Sequence, residues 1–332
     1  MEFLTGTGAQ RSRPKSVTLA SSHRAAVSLI RHQIPVAARS RPCGAPLIGP
    51  QNCSTRGRMT ENSLDVADAI AGSGALERAW TEIDGGVRIH ARLSRRMPTQ
   101  FSPVILVHGI GVSGRYLLPT AVRLAADLPV YVPDLPGFGL SSKPARVLSV
   151  SELGDALAAW MAAVPIRRAT LLGNSFGCQI IAAFAAAHPD AVSHVILQGP
   201  TMDPRARTMI QQLARWAMNS FQEPRVQGEP TLGAVVRRDY RDAGVRRVLG
   251  TFREALRDRI ELNLPRVAAP ALVVRGARDA IVPGRWASEA AALLPRGRLI
   301  VVRGAAHTMN YTSPDALARV TSEFLGLEPA AA

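Results

Sequence analysis

Leu171-Leu172-Gly173-Asn174-Ser175-Phe176-Gly177 carries a serine between two closely spaced glycines. An apolar run from Ala169 to Leu172 leads in, and a run of small and apolar residues from Ile180 to Ala187 leads out. The pattern predicts a strand, an abrupt turn and a helix, with Ser175 on the turn. Gly173 and Gly177 flank it because a side chain held on so tight a bend needs neighbours that leave room for backbone strain and for close helix–strand packing. The backbone N–H of Phe176, in the first turn of the expected helix, would face negative charge developing beside the serine oxygen.

A serine hydroxyl is a weak nucleophile at neutral pH, so this arrangement has meaning only if a base and an orienting acid accompany it. Chain order supplies both. After the apolar run Ala271 to Val274 comes Arg275-Gly276-Ala277-Arg278-Asp279, and after Leu299 to Val302 comes Arg303-Gly304-Ala305-Ala306-His307. Both follow a strand by five residues, which predicts that Asp279 and His307 emerge on the same sheet edge as Ser175. The other histidines lack that setting: His23 and His32 lie near the N-terminus, His90 in an early hairpin, His188 before a proline at a helix end and His194 in a strand. Two aspartates compete with Asp279. Asp134 opens a Pro/Gly turn before the serine and reads as a turn or capping residue, whereas Asp203 follows the strand Val195 to Leu197 and is a true alternative acid.

Working outward, Glu77 to Leu93 alternates around Asp84-Gly85-Gly86, the signature of an antiparallel hairpin. Pro103 to Val107 is a continuous apolar run suited to a strand buried on both faces, and it ends in His108-Gly109-Ile110-Gly111. The N–H of Ile110 is the expected second donor to an oxyanion, with its flanking glycines letting backbone approach a substrate, and His108 is expected to be a structural hydrogen-bonder. Tyr116 to Ala126 has helical spacing, Val130 to Val132 is a short strand, and Ser151 is the expected cap of a helix running to Ala163. Strand–helix alternation lapses between 201 and 266, an Arg-rich helical excursion that reads as an insertion, and then resumes to a final helix from Pro314 to Leu325. Repeated alternation with apolar strands implies an α/β fold, a mostly parallel sheet covered by helices on both sides.

Composition narrows the function classes. The 332 residues, 47% of them apolar, suffice for a large core, and no apolar run approaches the roughly 18 residues a membrane helix needs. The net charge is +15, but residues 1–58 alone hold nine basic residues against one acid. Only Lys15 and Lys143 are lysines; the remaining positive charge is arginine in an alanine-rich chain, with no nucleic-acid-binding motif beside it. The expected partner is therefore a small molecule, with neither nucleic acid nor membrane. Three cysteines, Cys43, Cys53 and Cys178, show no metal spacing with histidine and no disulfide framework, so no metal and a reducing, cytoplasmic setting are expected. Residues 1–58, rich in Arg, Ser, Pro and Gly and without sustained periodicity, are expected to be poorly ordered, and they resemble a transit peptide in being basic and nearly free of acids. The simpler expectation is an extension upstream of a start at Met59, since acidic residues return immediately after it.

Residues 77–327 resemble the α/β-hydrolase superfamily, on the strength of His108-Gly109, Asp134-Leu135-Pro136-Gly137-Phe138-Gly139, the Gly173–Gly177 turn, Asp279 and His307. The resemblance implies a core over 59–200 and 267–327, a helical cap over 201–266, no cofactor, and a serine hydrolase acting on a carboxylic ester or related acyl bond. Ser175 would be the nucleophile, His307 the base and Asp279 the orienting acid, with Trp216, Met218 and Phe221 of the cap as pocket lining. Serine at 175 departs from the dehalogenase and epoxide hydrolase branches, which place aspartate there. The turn is also similar to that of C–C bond hydrolases of aromatic ring-fission products, whose anionic substrates Arg237, Arg238, Arg246 and Arg247 would suit. Those enzymes carry tryptophan after the catalytic histidine, where this chain has Thr308, and a solvated helical face is the plainer account of these arginines. The same fold also serves as non-catalytic binding modules.

Overall fold

The computed structural model describes residues 74–98, 100–224 and 231–327, so the expectations for residues 1–58 lie outside the described residues. Among the described residues eight strands form one sheet in the order β1-β2-β4-β3-β5-β6-β7-β8. They are β1 (Leu76–Ile83), β2 (Val87–Ser94), β3 (Val104–Val107), β4 (Val130–Pro133), β5 (Ala169–Asn174), β6 (Val192–Gln198), β7 (Ala271–Gly276) and β8 (Gly297–Val302). β2 pairs antiparallel with both β1 and β4, while every pairing from β4 to β8 is parallel. The β1–β2 hairpin turns through Gly85 and Gly86, both at positive φ, as the Asp-Gly-Gly signal predicts.

The central strands carry no alternation because both faces are covered: all four residues of β3 and all six of β5 are buried. One face packs against α2 (Val150–Ala163), α3 (Phe176–Ala187) and α8 (Gly284–Leu293), with Trp160, Phe184 and Trp286 in its core. The other packs against α1 (Leu118–Leu124) and α10 (Pro314–Phe324), with Leu117, Leu118 and Leu317. Two sequence expectations shift locally. The helix predicted over Tyr116 to Ala126 is a short 3-10 turn, Gly114–Leu117, running into α1. The cap of α2 is Ser149, not Ser151: its hydroxyl accepts the Glu152 N–H while the Glu152 carboxylate accepts the Ser149 N–H, a reciprocal pair that Ser151 lacks a partner to form.

Between β6 and β7 the chain leaves the sheet through α4 (Met209–Gln222), α5 (Leu232–Ala243), α6 (Val245–Arg257) and α7 (Ile260–Asn263). A buried charge cluster fixes this excursion to the loop after β3. Asp239 of α5 accepts from Ser113 N–H at 2.8 Å and from the Ser113 hydroxyl at 3.0 Å, and it also holds Arg115. A second buried carboxylate organises the adjoining turn. Asp134 accepts from Gly114 N–H at 2.7 Å, Leu140 N–H at 3.0 Å and the His90 ring at 2.8 Å, the structural role its Pro/Gly setting predicts. His108 is structural as well: its Nε2 accepts the Leu135 N–H at 3.1 Å and its Nδ1 meets Gly109 O at 3.0 Å, while burial lowers its pKa.

Candidate active site

Ser175 joins β5 to α3 at φ 55° and ψ −118°, a backbone conformation that a non-glycine residue adopts only at a cost of about 1–3 kcal/mol. Its surroundings hold it there. A Cβ on Gly177 would lie 2.3 Å from Val107 O, and one on Gly173 would lie 2.7 Å from the backbone of Gly177, so helix, turn and neighbouring strand approach as closely as they do only because both positions lack a side chain. The Ser175 N–H is tied to Gln198 O at 3.0 Å. Phe176 is the first residue of α3, whose leading N–H groups have no partner within the helix.

Asp279 and His307 meet, although 28 residues separate them. Asp279 follows β7, and its Oδ1 accepts the N–H groups of Ile281 and Val282 at 2.9 Å each, which leaves Oδ2 2.8 Å from His307 Nδ1. Gly199 makes room for the pair: a Cβ there would lie 2.9 Å from the imidazole and 3.2 Å from Asp279 Oδ2. The backbone of His307 is anchored by Gln198, whose Nε2 donates to His307 O at 2.7 Å. Burial pulls the imidazole pKa down, but the charge and hydrogen bond of Asp279 and the charge of Glu223 outweigh it, so the net shift is upward. With Nδ1 engaged by Asp279, Nε2 is the remaining ring nitrogen; it is buried and finds no hydrogen-bond partner among the described residues.

Ser175 and His307 line one cavity of about 140 Å³ above the C-terminal ends of the parallel strands. Gly109, Ile110 and Tyr116 from the loop after β3 contribute to its walls, and so do Thr201 and Met202 after β6. The excursion roofs it with Gln212, Trp216 and Asn219 of α4, Val236 and Tyr240 of α5, and Phe252 of α6. Of the site residues expected from the sequence, Ser175, Ile110, Trp216 and His307 line it, whereas Phe176 and Asp279 are not among its lining residues. Met218 and Phe221 do not line it either, and Trp216, although it lines the cavity, is itself 54% exposed. At 100° per residue, Gln212, Trp216 and Asn219 share one face of α4, and Met218 and Phe221 fall on another. The alternative acid is spoken for elsewhere, since Asp203 is held by Arg285 at 2.7 Å and Arg215 at 2.8 Å. Arg237, Arg238, Arg246 and Arg247 are not among the residues lining the cavity; Arg247 packs over Gly137 and donates to Pro144 O.

Residues 104–320 match the alpha/beta hydrolase family. The chain belongs to that family. This alpha/beta hydrolase is 31% identical over 122 residues to the 1-acylglycerol-3-phosphate O-acyltransferase ABHD5 of Mus musculus, covering 36% of this chain and 35% of that protein. It is 24% identical over 283 residues to the 2-(acetamidomethylene)succinate hydrolase of Mesorhizobium japonicum, covering 79% of this chain and 99% of that one. The chain spans about a third of the length of the first curated relatives it matches. A solved membrane phospholipase A, a bacterial virulence factor, superposes with a TM-score of 0.63 at 26% identity, over 79% of this chain and 89% of that one. Among the described residues no helix is long and apolar enough to cross a membrane.

Two features of the alpha/beta hydrolase site were not legible in the sequence. Asp239, the anchor of α5, is one acid within the arginine-rich run Arg237-Arg238-Asp239-Tyr240-Arg241, and the only hint was its sign. Glu223, at the end of α4, had a subtler signal: an acid at a helix C-terminus opposes the helix dipole and asks for another partner.

Proposed function

We propose that this alpha/beta hydrolase cleaves a carboxylic ester or related acyl bond through an acyl-enzyme. The observation that carries the proposal is the Asp279–His307 hydrogen bond at 2.8 Å, which leaves Nε2 of His307 without a partner beside the cavity that Ser175 shares. Ser175 Oγ attacks the carbonyl carbon and gives its proton to Nε2, and the carbonyl oxygen becomes an oxyanion facing the N–H groups of Phe176 and Ile110. The imidazolium then protonates the leaving alkoxide as the C–O bond breaks. Water, deprotonated by the same nitrogen, attacks the acyl-enzyme, and the proton returns to Ser175 as the acid departs. Residues 201–266 act as the cap that shapes the pocket, with Trp216 against the acyl group. Thr308 after His307, where C–C hydrolases carry tryptophan, favours the ester over the C–C reading.

A fluorophosphonate probe and a series of p-nitrophenyl esters test this together. The wild type is labelled and turns over, whereas Ser175→Ala takes no label and loses roughly 10⁴-fold or more in kcat with its fold intact. Full activity in Ser175→Ala refutes the mechanism. An unlabelled, inactive wild type identifies a binding module.

A further inference from the structure

Glu223 closes the C-terminal end of α4, the same helix that contributes Gln212, Trp216 and Asn219 to the cavity. A carboxylate there meets the negative end of the helix dipole, a local conflict in which the helix gains nothing from the charge. Its contacts lie elsewhere. Oε1 accepts the N–H of Thr308, the residue directly after His307, at 2.9 Å, and the side-chain amide of Asn219 at 2.8 Å. Oε2 accepts the Thr312 hydroxyl at 3.4 Å, in the short helix α9 (Met309–Thr312) that follows the histidine. One side chain from the excursion thus clasps the main chain on the C-terminal side of His307, as Gln198 from β6 clasps its carbonyl.

We propose that Glu223 is a positioning residue for the acyl-transfer site, fixing the backbone at Thr308, tying the cap helix to the histidine loop and placing a second negative charge beside the imidazole. The inference rests on the function proposed above. Two carboxylates act on the ring, Asp279 from the loop after β7 and Glu223 from α4. Nearby Tyr116 and Cys178 have their pKa values pushed up by burial and stay neutral across the range in which histidine titrates. Asp279 sets ring orientation through Nδ1, and Glu223 adds charge without touching the ring through a described hydrogen bond. The imidazolium that forms during attack is therefore stabilised by both carboxylates.

Glu223→Gln separates charge from geometry. The amide oxygen still accepts from Thr308 N–H, and the Thr312 hydroxyl can reverse its role to accept from the new amide nitrogen. The measurements are the histidine ring NMR titration, with the His307 signal assigned by its loss in His307→Gln, and kcat/KM for p-nitrophenyl butanoate against pH. In Glu223→Gln both the His307 midpoint and the acid limb move to lower pH by about half a unit or more, with KM nearly unchanged. Glu223→Asp keeps the wild-type midpoint, while Glu223→Ala also loses roughly 10-fold in kcat. Should the Gln variant fail to fold, the Asp and Asn variants give the same comparison one methylene shorter. A folded, charge-free variant whose His307 midpoint and acid limb match the wild type overturns the proposal. Failure of the underlying mechanism looks different, because the limb would then not coincide with the His307 midpoint even in the wild type.

Discussion

Asp279 Oδ2 and His307 Nδ1 lie 2.8 Å apart, and the other carboxylate oxygen is saturated by two backbone N–H groups. With both oxygens so engaged, the aspartate favours the tautomer with the proton on Nδ1, which leaves Nε2 unprotonated in the neutral ring. Asp279→Asn offers an amide that cannot impose this tautomer. It is expected to lower kcat by roughly 10³–10⁴-fold with little change in thermal stability, as measured by ester turnover beside a melting curve.

The same pair fixes the pH dependence. A general base works only when neutral, and the His307 pKa is raised above the ordinary histidine value of 6.5. With His307 as the proposed base, activity is expected above that raised value and should be lost as pH falls through it. The acid limb of kcat/KM should have its midpoint above 6.5. A midpoint below that value would show that Asp279 and Glu223 do not outweigh the burial of the ring.

Cavity size predicts chain-length preference. A volume of about 140 Å³ is close to the ~150 Å³ of an engineered apolar cavity that holds one benzene. Acetyl and butanoyl p-nitrophenyl esters should outpace the decanoyl ester in kcat/KM. Trp216→Ala should move the optimum to longer chains, because its indole is part of the cavity wall. Phe221→Ser, on the exposed face of the same helix, should leave the profile where it was.

Gly177→Ala adds one methyl where Val107 O would be 2.3 Å away. Neither atom sits on a flexible side chain, so helix and strand must separate, and a loss of about 3 kcal/mol or more in unfolding free energy is expected. Denaturant unfolding measures it.

Asp134 should govern acid stability. Burial pushes its pKa up, but the hydrogen bond from His90 and the charges of Arg92 and His90 carry the net value well below the usual carboxylate range. A depressed folded pKa contributes stability that is full above the unfolded value of ~3.9 and is lost as pH falls below it. Asp134→Asn should therefore destabilise by about 2–4 kcal/mol at pH 7, with the gap from wild type narrowing toward pH 2. Parallel unfolding curves at all pH values would show that the Asp134 charge plays no part.

Much of this protein was determined by its sequence alone. The buried strands announce themselves as unbroken apolar runs, and the tight bend at Ser175 needs its flanking glycines whatever surrounds it. Parallel strands all end on one edge, so the residues after β5, β7 and β8 had to meet there, and local pattern sufficed to place Ser175, Asp279 and His307 at those ends. The tertiary structure decided what periodicity leaves open. Residue type alone grouped Trp216, Met218 and Phe221 as pocket lining; on α4 the polar Gln212 and Asn219 turn inward to the cavity beside Trp216, while Met218 and Phe221 turn to solvent. Glu223 and Asp239 became meaningful only when their helices were laid over the sheet, because a charge reveals its partner through distance in space, and separation along the chain carries no record of that distance.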